Sequence, residues 1–239
     1  HSIRRRQRQM CIRDSSMGGD KLGSRMTYGN YLQLDKLLTL QSGPDGHDPL
    51  PSNHEMHFIV VHQAFELWFK QINRELEDTL QLMNNDEIDE TNIPVIVRHL
   101  ERCSEIFRLL ASQWKVMETL SPQDFLAFRD RLGTSSGFES WQLRTLEMLL
   151  GLKSEQRIGG MDPMEHNKKL HSEGKLSDEV MANMERIATL PSLYDVLLRW
   201  LERTPVNGVS GDKEVMTEFV ESHISSMIEH GEKVIAHMV

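Results

Sequence analysis

Three features of the sequence predict an all-α fold, a helical bundle. Apolar residues recur at helical spacing from Met26 onward, Pro- and Gly-rich breaks separate those stretches, and no run of four to eight residues alternates with β-branched enrichment. Tyr28–Leu40 reads as a first helix through Tyr31, Leu34, Leu37, Leu38 and Leu40, stopped by Ser42-Gly43-Pro44-Asp45-Gly46. The loop behind it runs to about Ser52, with three prolines and two glycines between Gly43 and Pro51. Glu55–Met83 is the longest periodic stretch: Phe58, His62, Phe65, Phe69, Ile72 and Leu76 fall within about 40° of one meridian. Thr91 opens a helix that continues through Val95, Val97, Leu100, Ile106, Leu109, Leu110 and Trp114 to Leu120. Ser121-Pro122 caps a short helix over Pro122–Leu132, Gly133–Gly137 breaks the chain, and Phe138 to about Leu152 follows. Ser177 opens another helix and Pro191-Ser192 caps Leu193–Arg203. After a loop with Pro205, Gly208 and Gly211, the pattern predicts a last helix over Glu214–Val239.

Length and composition narrow the function classes. With 239 residues the chain can bury a core without disulfides or metals. No apolar run approaches the roughly 18 residues of a membrane span, so no membrane partner is expected. Lys and Arg number 27 against 36 Asp and Glu, a net charge of −9 that makes nucleic acid a poor partner. Two cysteines, Cys11 and Cys103, cannot build a disulfide framework, and the expected compartment is a reducing, cytoplasmic one.

Residues 1–25 differ from the rest. They carry seven basic groups and two acids, which leaves the body of the chain at −14. Arg5-Arg6-Gln7-Arg8-Gln9-Met10-Cys11-Ile12-Arg13-Asp14 resembles the translation of a sequencing-library adaptor, and residues 1–16 read as a cloning or assembly scar. The expected organisation is therefore a non-native or disordered segment, 1–25, ahead of one helical domain, 26–239, starting natively at Met17 or Met26.

Three stretches carry chemistry. In Phe58–Lys70, His62 sits at the centre of the apolar face. It is either a core histidine satisfied by a backbone carbonyl or Glu66, or an acid–base group in an aromatic pocket. In Asp124–Gly133, Phe125, Phe128 and Leu132 mark a buried face, Arg129 projects inside it and Arg131 points away. A buried guanidinium needs an anion, supplied by an acid such as Glu118 or by a ligand carboxylate that fits its fork. The turn Thr134-Ser135-Ser136-Gly137-Phe138 offers free amides and hydroxyls to a ligand, or serves as an ordinary N-cap.

Taken in order, these stretches resemble the tryptophan 2,3-dioxygenase family. The resemblance rests on Tyr28-Gly-Asn-Tyr31-Leu32-Gln-Leu-Asp35, Phe58-Ile-Val-Val-His62-Gln-Ala-Phe-Glu-Leu-Trp68-Phe-Lys70 and Gln113-Trp114-Lys-Val-Met-Glu118-Thr119-Leu120. It continues in Phe128-Arg129, Ser136-Gly137-Phe138, Arg144-Thr-Leu-Glu147 and Pro191-Ser192-Leu193-Tyr194. It implies a helical bundle of the tryptophan 2,3-dioxygenase and indoleamine dioxygenase type, using haem b and O₂ to open the indole 2,3 bond of L-tryptophan. The product would be N-formylkynurenine, in the first step of tryptophan catabolism by the kynurenine pathway. By that resemblance His62 is the catalytic residue on the distal side and hydrogen-bonds the indole N–H, and Arg129 pairs with the substrate carboxylate. Phe58, Ile59, Val60, Val61 and Phe125 would contact substrate, with Trp114, Ser136 and Gly137 lining the haem and substrate pocket. Tyr28, Tyr31 and Leu32 would complete a neighbouring subunit's pocket in a homotetramer.

The sequence also departs from the family pattern. Asn53-His54-Glu55 stands where His-Asp-Glu is usual, and Glu139 replaces a Gln. The family's Trp-Arg-x-x-His segment, which carries the proximal haem ligand, and its Gly-Thr-Gly-Gly-Ser loop do not occur. The proximal histidine is thus expected beyond Val239, with no metal ligand in this chain, no stoichiometric haem and no turnover from the 239 residues alone. His223, His230 and His237 repeat every seven residues and read as a solvated stripe; His54 and His57 lack a third ligand; His166 and His171 lie in a Lys-rich loop; Cys103 is a packing residue. Two other functions fit the same residues: a haem-dependent aromatic oxygenase acting on another indole or a phenol, and a non-catalytic helical binding protein.

Overall fold

A computed structural model describes residues 26–42, 50–204 and 213–236, and every regular element among them is helical. Cys11, His237 and the side chain of His230 lie outside the described residues. The chain divides into two compact units, His1–Asp48 and Pro49–Val239.

In the first unit the expected single helix is two: α1 (Tyr28–Leu32) and α2 (Leu34–Leu37). Gln33 breaks them apart with a left-handed backbone, φ +51°, and its amide closes α1 onto Asn30 and Gly29. Neither short helix buries a side chain.

The second unit is organised on α3 (Asn53–Met83), whose cap is Ser52 accepting from the Glu55 amide at 3.1 Å. A 3₁₀ turn at Glu90–Asn92 leads into α4 (Ile93–Met117), which starts with Pro94 in its first turn. Ile72, Leu76, Leu80 and Met83 of α3 meet Ile96, Cys103, Ile106 and Leu110 of α4 at i, i+3/i+4 and i+7 spacings. α6 (Trp141–Leu150) adds Leu146 and Leu149, α8 (Asp178–Ala188) adds Ile187, and α9 (Leu193–Arg203) adds Leu193 and Val196. α10 (Lys213–Ala236) packs on α9. Cys103 is buried as expected, and burial, with Glu75 adding to it, pushes its thiol up to about 11, which makes it inert.

Two expectations are corrected. The helix over Pro122–Leu132 stops early as α5 (Pro122–Leu126), and a 3₁₀ turn, Arg129–Leu132, follows a Phe128 with φ −122° and ψ 0°. There Phe128 packs edge-on against Phe58 and Phe125, and its backbone leaves the helical region. The Lys-rich loop is also wrong: His166 and His171 lie on α7 (Pro163–Ser172), capped by Asp162 accepting from the Glu165 amide at 2.9 Å.

Gly151 ends α6 at φ +83° and sits against the start of α9. A Cβ there would lie 2.4 Å from Ser192 Oγ and 2.9 Å from its Cβ. Strain and overlap act together, so Gly151→Ala should destabilise the second unit by about 2–4 kcal/mol. Urea unfolding followed by circular dichroism checks this; a loss below about 1 kcal/mol would mean that α9 shifts to make room.

Candidate functional site

The N-terminal third of α3 turns its face away from the core and toward α5. Phe58 and His62, four residues apart, share that face. Their rings meet tilted by 33° at 4.0 Å between centroids, and His62 Nδ1 lies 2.8 Å from the Phe58 carbonyl oxygen. A carbonyl only accepts, so Nδ1 carries the proton and Nε2 of the neutral ring presents its lone pair. Of the two structural partners open to a core histidine, the backbone carbonyl is the one found.

Phe125 of α5 and Phe128 behind it close the aromatic group. Phe58 lies 5.8 Å from Phe125 and 5.6 Å from Phe128, and the last two meet edge-on at 5.4 Å. Phe128 is 3% exposed and forms the floor, whereas Phe58 and Phe125 are half-buried.

Arg129 emerges beside this group at the start of the 3₁₀ turn. Its Nη1 donates to the Gly133 carbonyl at 2.9 Å, and among the described residues no carboxylate pairs with it. The anticipated partner Glu118 is exposed. Arg131, expected to point away, instead donates to the buried carboxylate of Glu55 at 2.8 Å. After the helix break at Phe128, Arg129 stays half-buried and Arg131, though exposed, reaches Glu55.

The other expected residues are spread more widely. Val61 is buried in the core, and its carbonyl accepts from Gln113 Nε2 at 2.9 Å; Ile59 is half-buried and Val60 exposed. Trp114 packs 5.0 Å from Phe65 and is 54% exposed. Ser136 caps the 3₁₀ turn Gly137–Glu139, its hydroxyl accepting from the Phe138 amide at 3.3 Å. Tyr28 and Tyr31 are 77% and 75% exposed, and Leu32 is exposed with them.

Neighbouring contacts hold these parts. His57 Nε2 donates to the Val116 carbonyl at 3.1 Å, and His166 Nε2 to the Phe138 carbonyl at 3.0 Å, tying the Ser136–Phe138 turn to α7. The charge of Glu139 is met by Lys175 at 2.9 Å. Arg144 and Glu147 form a buried pair at 3.0 Å inside α6, with Arg157 nearby. Burial pushes the Glu147 carboxyl upward against the pull of both guanidinium groups. His54 meets Asp124 at 3.4 Å, and His171 meets Asp178 at 2.8 Å. His223 is exposed and stacks on Phe219. Among the described residues no group of three or more His, Cys, Asp or Glu is placed to hold a metal ion. Sequence periodicity placed Phe128 on a buried face, as found, and missed the pairing of Glu55 with Arg131, which depends on the helix break.

Fold and site together define an all-helical protein with an aromatic wall, a histidine acceptor set into it and a guanidinium at its edge. The chain belongs to the tryptophan 2,3-dioxygenase family, whose sequence pattern matches residues 12–238. The match begins inside the basic N-terminal segment. The chain is 44% identical over 197 residues to the tryptophan 2,3-dioxygenase of Anopheles gambiae, covering 80% of this chain and 48% of that protein. It is 42% identical over 193 residues to that of Aedes aegypti, covering 79% and 47%. With that of Sorangium cellulosum (strain So ce56) the identity is 37% over 217 residues, covering 90% and 52%. The chain spans about half the length of the curated relatives it matches.

The two phenylalanines on Arg129's side of the wall separate by burial. Phe128→Ala should cost about 3–5 kcal/mol, and Phe125→Ala roughly half that. Urea midpoints of the two variants measure the difference; equal costs would make Phe125 part of the floor rather than the wall.

Proposed function

We propose that this chain supplies the substrate side of a haem-dependent dioxygenase that inserts both atoms of O₂ across the indole 2,3 bond of L-tryptophan, giving N-formylkynurenine. Family membership supports the reading, and His62 is the observation that carries it. An indole has one hydrogen-bond donor, its N–H, on an otherwise apolar ring. With Nδ1 bonded to the Phe58 carbonyl, His62 Nε2 is an acceptor held against the Phe58 ring, which is the chemistry that such a ring requires.

The residues then divide the work. Phe58 and Phe125 flank the indole and keep water from it, and Phe128 supports both. His62 takes the indole N–H as a hydrogen bond and fixes the ring's orientation. Arg129 keeps most of its planar fork beyond the single bond to Gly133 and grips the amino-acid carboxylate. Trp114, Ser136 and Gly137 line the rim, with Ile59, Val60 and Val61 behind the wall. Haem b would be held by apolar side chains at this end of the chain, beside the Phe58 and Phe125 wall, and would supply the oxygen chemistry. A homotetramer belongs to the same proposal, with Tyr28, Tyr31 and Leu32 reaching a neighbour's site; their exposure within their own unit supports it. So does a cytoplasmic location, with which the inert, buried Cys103 agrees. No helix among the described residues is long and apolar enough to cross a membrane.

Calorimetric titration of the chain tests the site. Arg129→Lys should weaken L-tryptophan binding about tenfold and change tryptamine, which lacks the carboxylate, by less than about twofold. Equal losses would make Arg129 structural. The reaction is checked in a haem-loaded chimera that joins this chain to the remaining half of the Anopheles gambiae relative. Isotopically heavy O₂ should label both new oxygens of N-formylkynurenine, and singly labelled product or none overturns the assignment.

A further inference from the structure

Glu55 is a charged side chain that the fold places out of water. Its residue is 4% exposed, in the first turn of α3, where the helix dipole favours an anion. A buried carboxylate needs a paired cation, and Arg131 supplies it at 2.8 Å from 76 residues away. Phe58 follows Glu55 by three residues and His62 by seven, so all three rise from one helix face. Arg129 precedes Arg131 by two residues in the 3₁₀ turn. One ion pair therefore joins the strip that holds the aromatic wall to the turn that holds the guanidinium.

Other ties between these segments are softer. His54 and Asp124 meet at 3.4 Å, with their side chains 53% and 38% exposed, so water screens them. The rings of Phe58, Phe125 and Phe128 touch without fixing direction. The Arg129 bond to Gly133 stays within its own loop and sets no distance to α3.

We propose that Glu55 and Arg131 are positioning residues whose ion pair sets the span between the Phe58–His62 wall and the Arg129 fork. That span selects indoles bearing a carboxylate at amino-acid reach over indoles without one. The inference rests on the functional reading above, in which wall and fork bind the two ends of L-tryptophan.

The test uses the full chain and Glu55→Gln, which keeps shape and removes charge. Hydrogen exchange of the amides of residues 128–133 should speed up at least about fivefold, while those of residues 72–80 keep their protection. L-tryptophan affinity should fall about tenfold and tryptamine affinity by less than about twofold. Glu55→Asp, which restores the charge, should recover part of both effects. Unchanged exchange at 128–133 overturns the ion pair as a clamp, and equal losses for the two ligands overturn its role in selection. Wild-type chain that binds L-tryptophan, beside a Glu55→Gln variant that binds it as tightly, overturns the inference alone. Wild-type chain that binds no L-tryptophan overturns the functional reading and the inference with it. Should Glu55→Gln unfold, Arg131→Lys gives the same readouts at about threefold, because a point charge replaces the fork.

Discussion

One helix must satisfy two demands at once. α3 spans 31 residues, roughly 46 Å at its ordinary rise, and its C-terminal two-thirds bury Ile72, Leu76, Thr79 and Leu80 among α4, α6 and α9. That burial leaves the helix no freedom to rotate. Its N-terminal third therefore presents Phe58 and His62 at an orientation decided some 15 Å or more away, by side chains with no part in any chemistry. Everything at the site end takes its bearing from this immobile rod: the α5 packing, the seat of Phe128 and the reach of Arg131.

The polar groups of the interior follow a different rule from those of the site. Glu75 takes Arg102, Gln71 and His99; Glu147 takes Arg144; Glu55 takes Arg131; Thr79 meets His99. Glu75–Arg102, Glu75–His99, Thr79–His99 and Glu55–Arg131 bind one element to the next, and Arg144–Glu147 closes within α6. At the site end the pattern loosens. His62 spends one nitrogen on its own helix, and Arg129 spends one N–H on its own loop. Bonding capacity is left over where a ligand would lie, and it is consumed where the fold needs holding.

Much of this was legible in the sequence, and the limits have physical causes. The starts at Ser177 and Ser192 and the periodicity of α3 and α4 are local signals, and the elements fall where those signals put them. α7 was missed because it buries few apolar residues, although Asp162-Pro163 carried a start signal. The break at Gln33 has no Gly or Pro to announce it. At the break, Phe128 packs against Phe58, a residue 70 positions earlier, so angles drawn on a continuous helix did not show that Arg131 reaches Glu55. Resemblance to a family pointed to His62 and Arg129, yet it gave no role to Glu55, whose partner depends on that same break.

The bond from His62 Nδ1 to the Phe58 carbonyl is made entirely within one stretch of helix. Its two ends are four residues apart, so it forms as soon as those turns wind and asks nothing of any loop, neighbour or ligand. An acceptor prepared in this way is a property of sequence order, portable with the segment itself. A Phe-x-x-x-His step on a rigid helix would carry the same proton arrangement into another protein, and substitutions elsewhere in this chain could move the histidine without changing which nitrogen it offers.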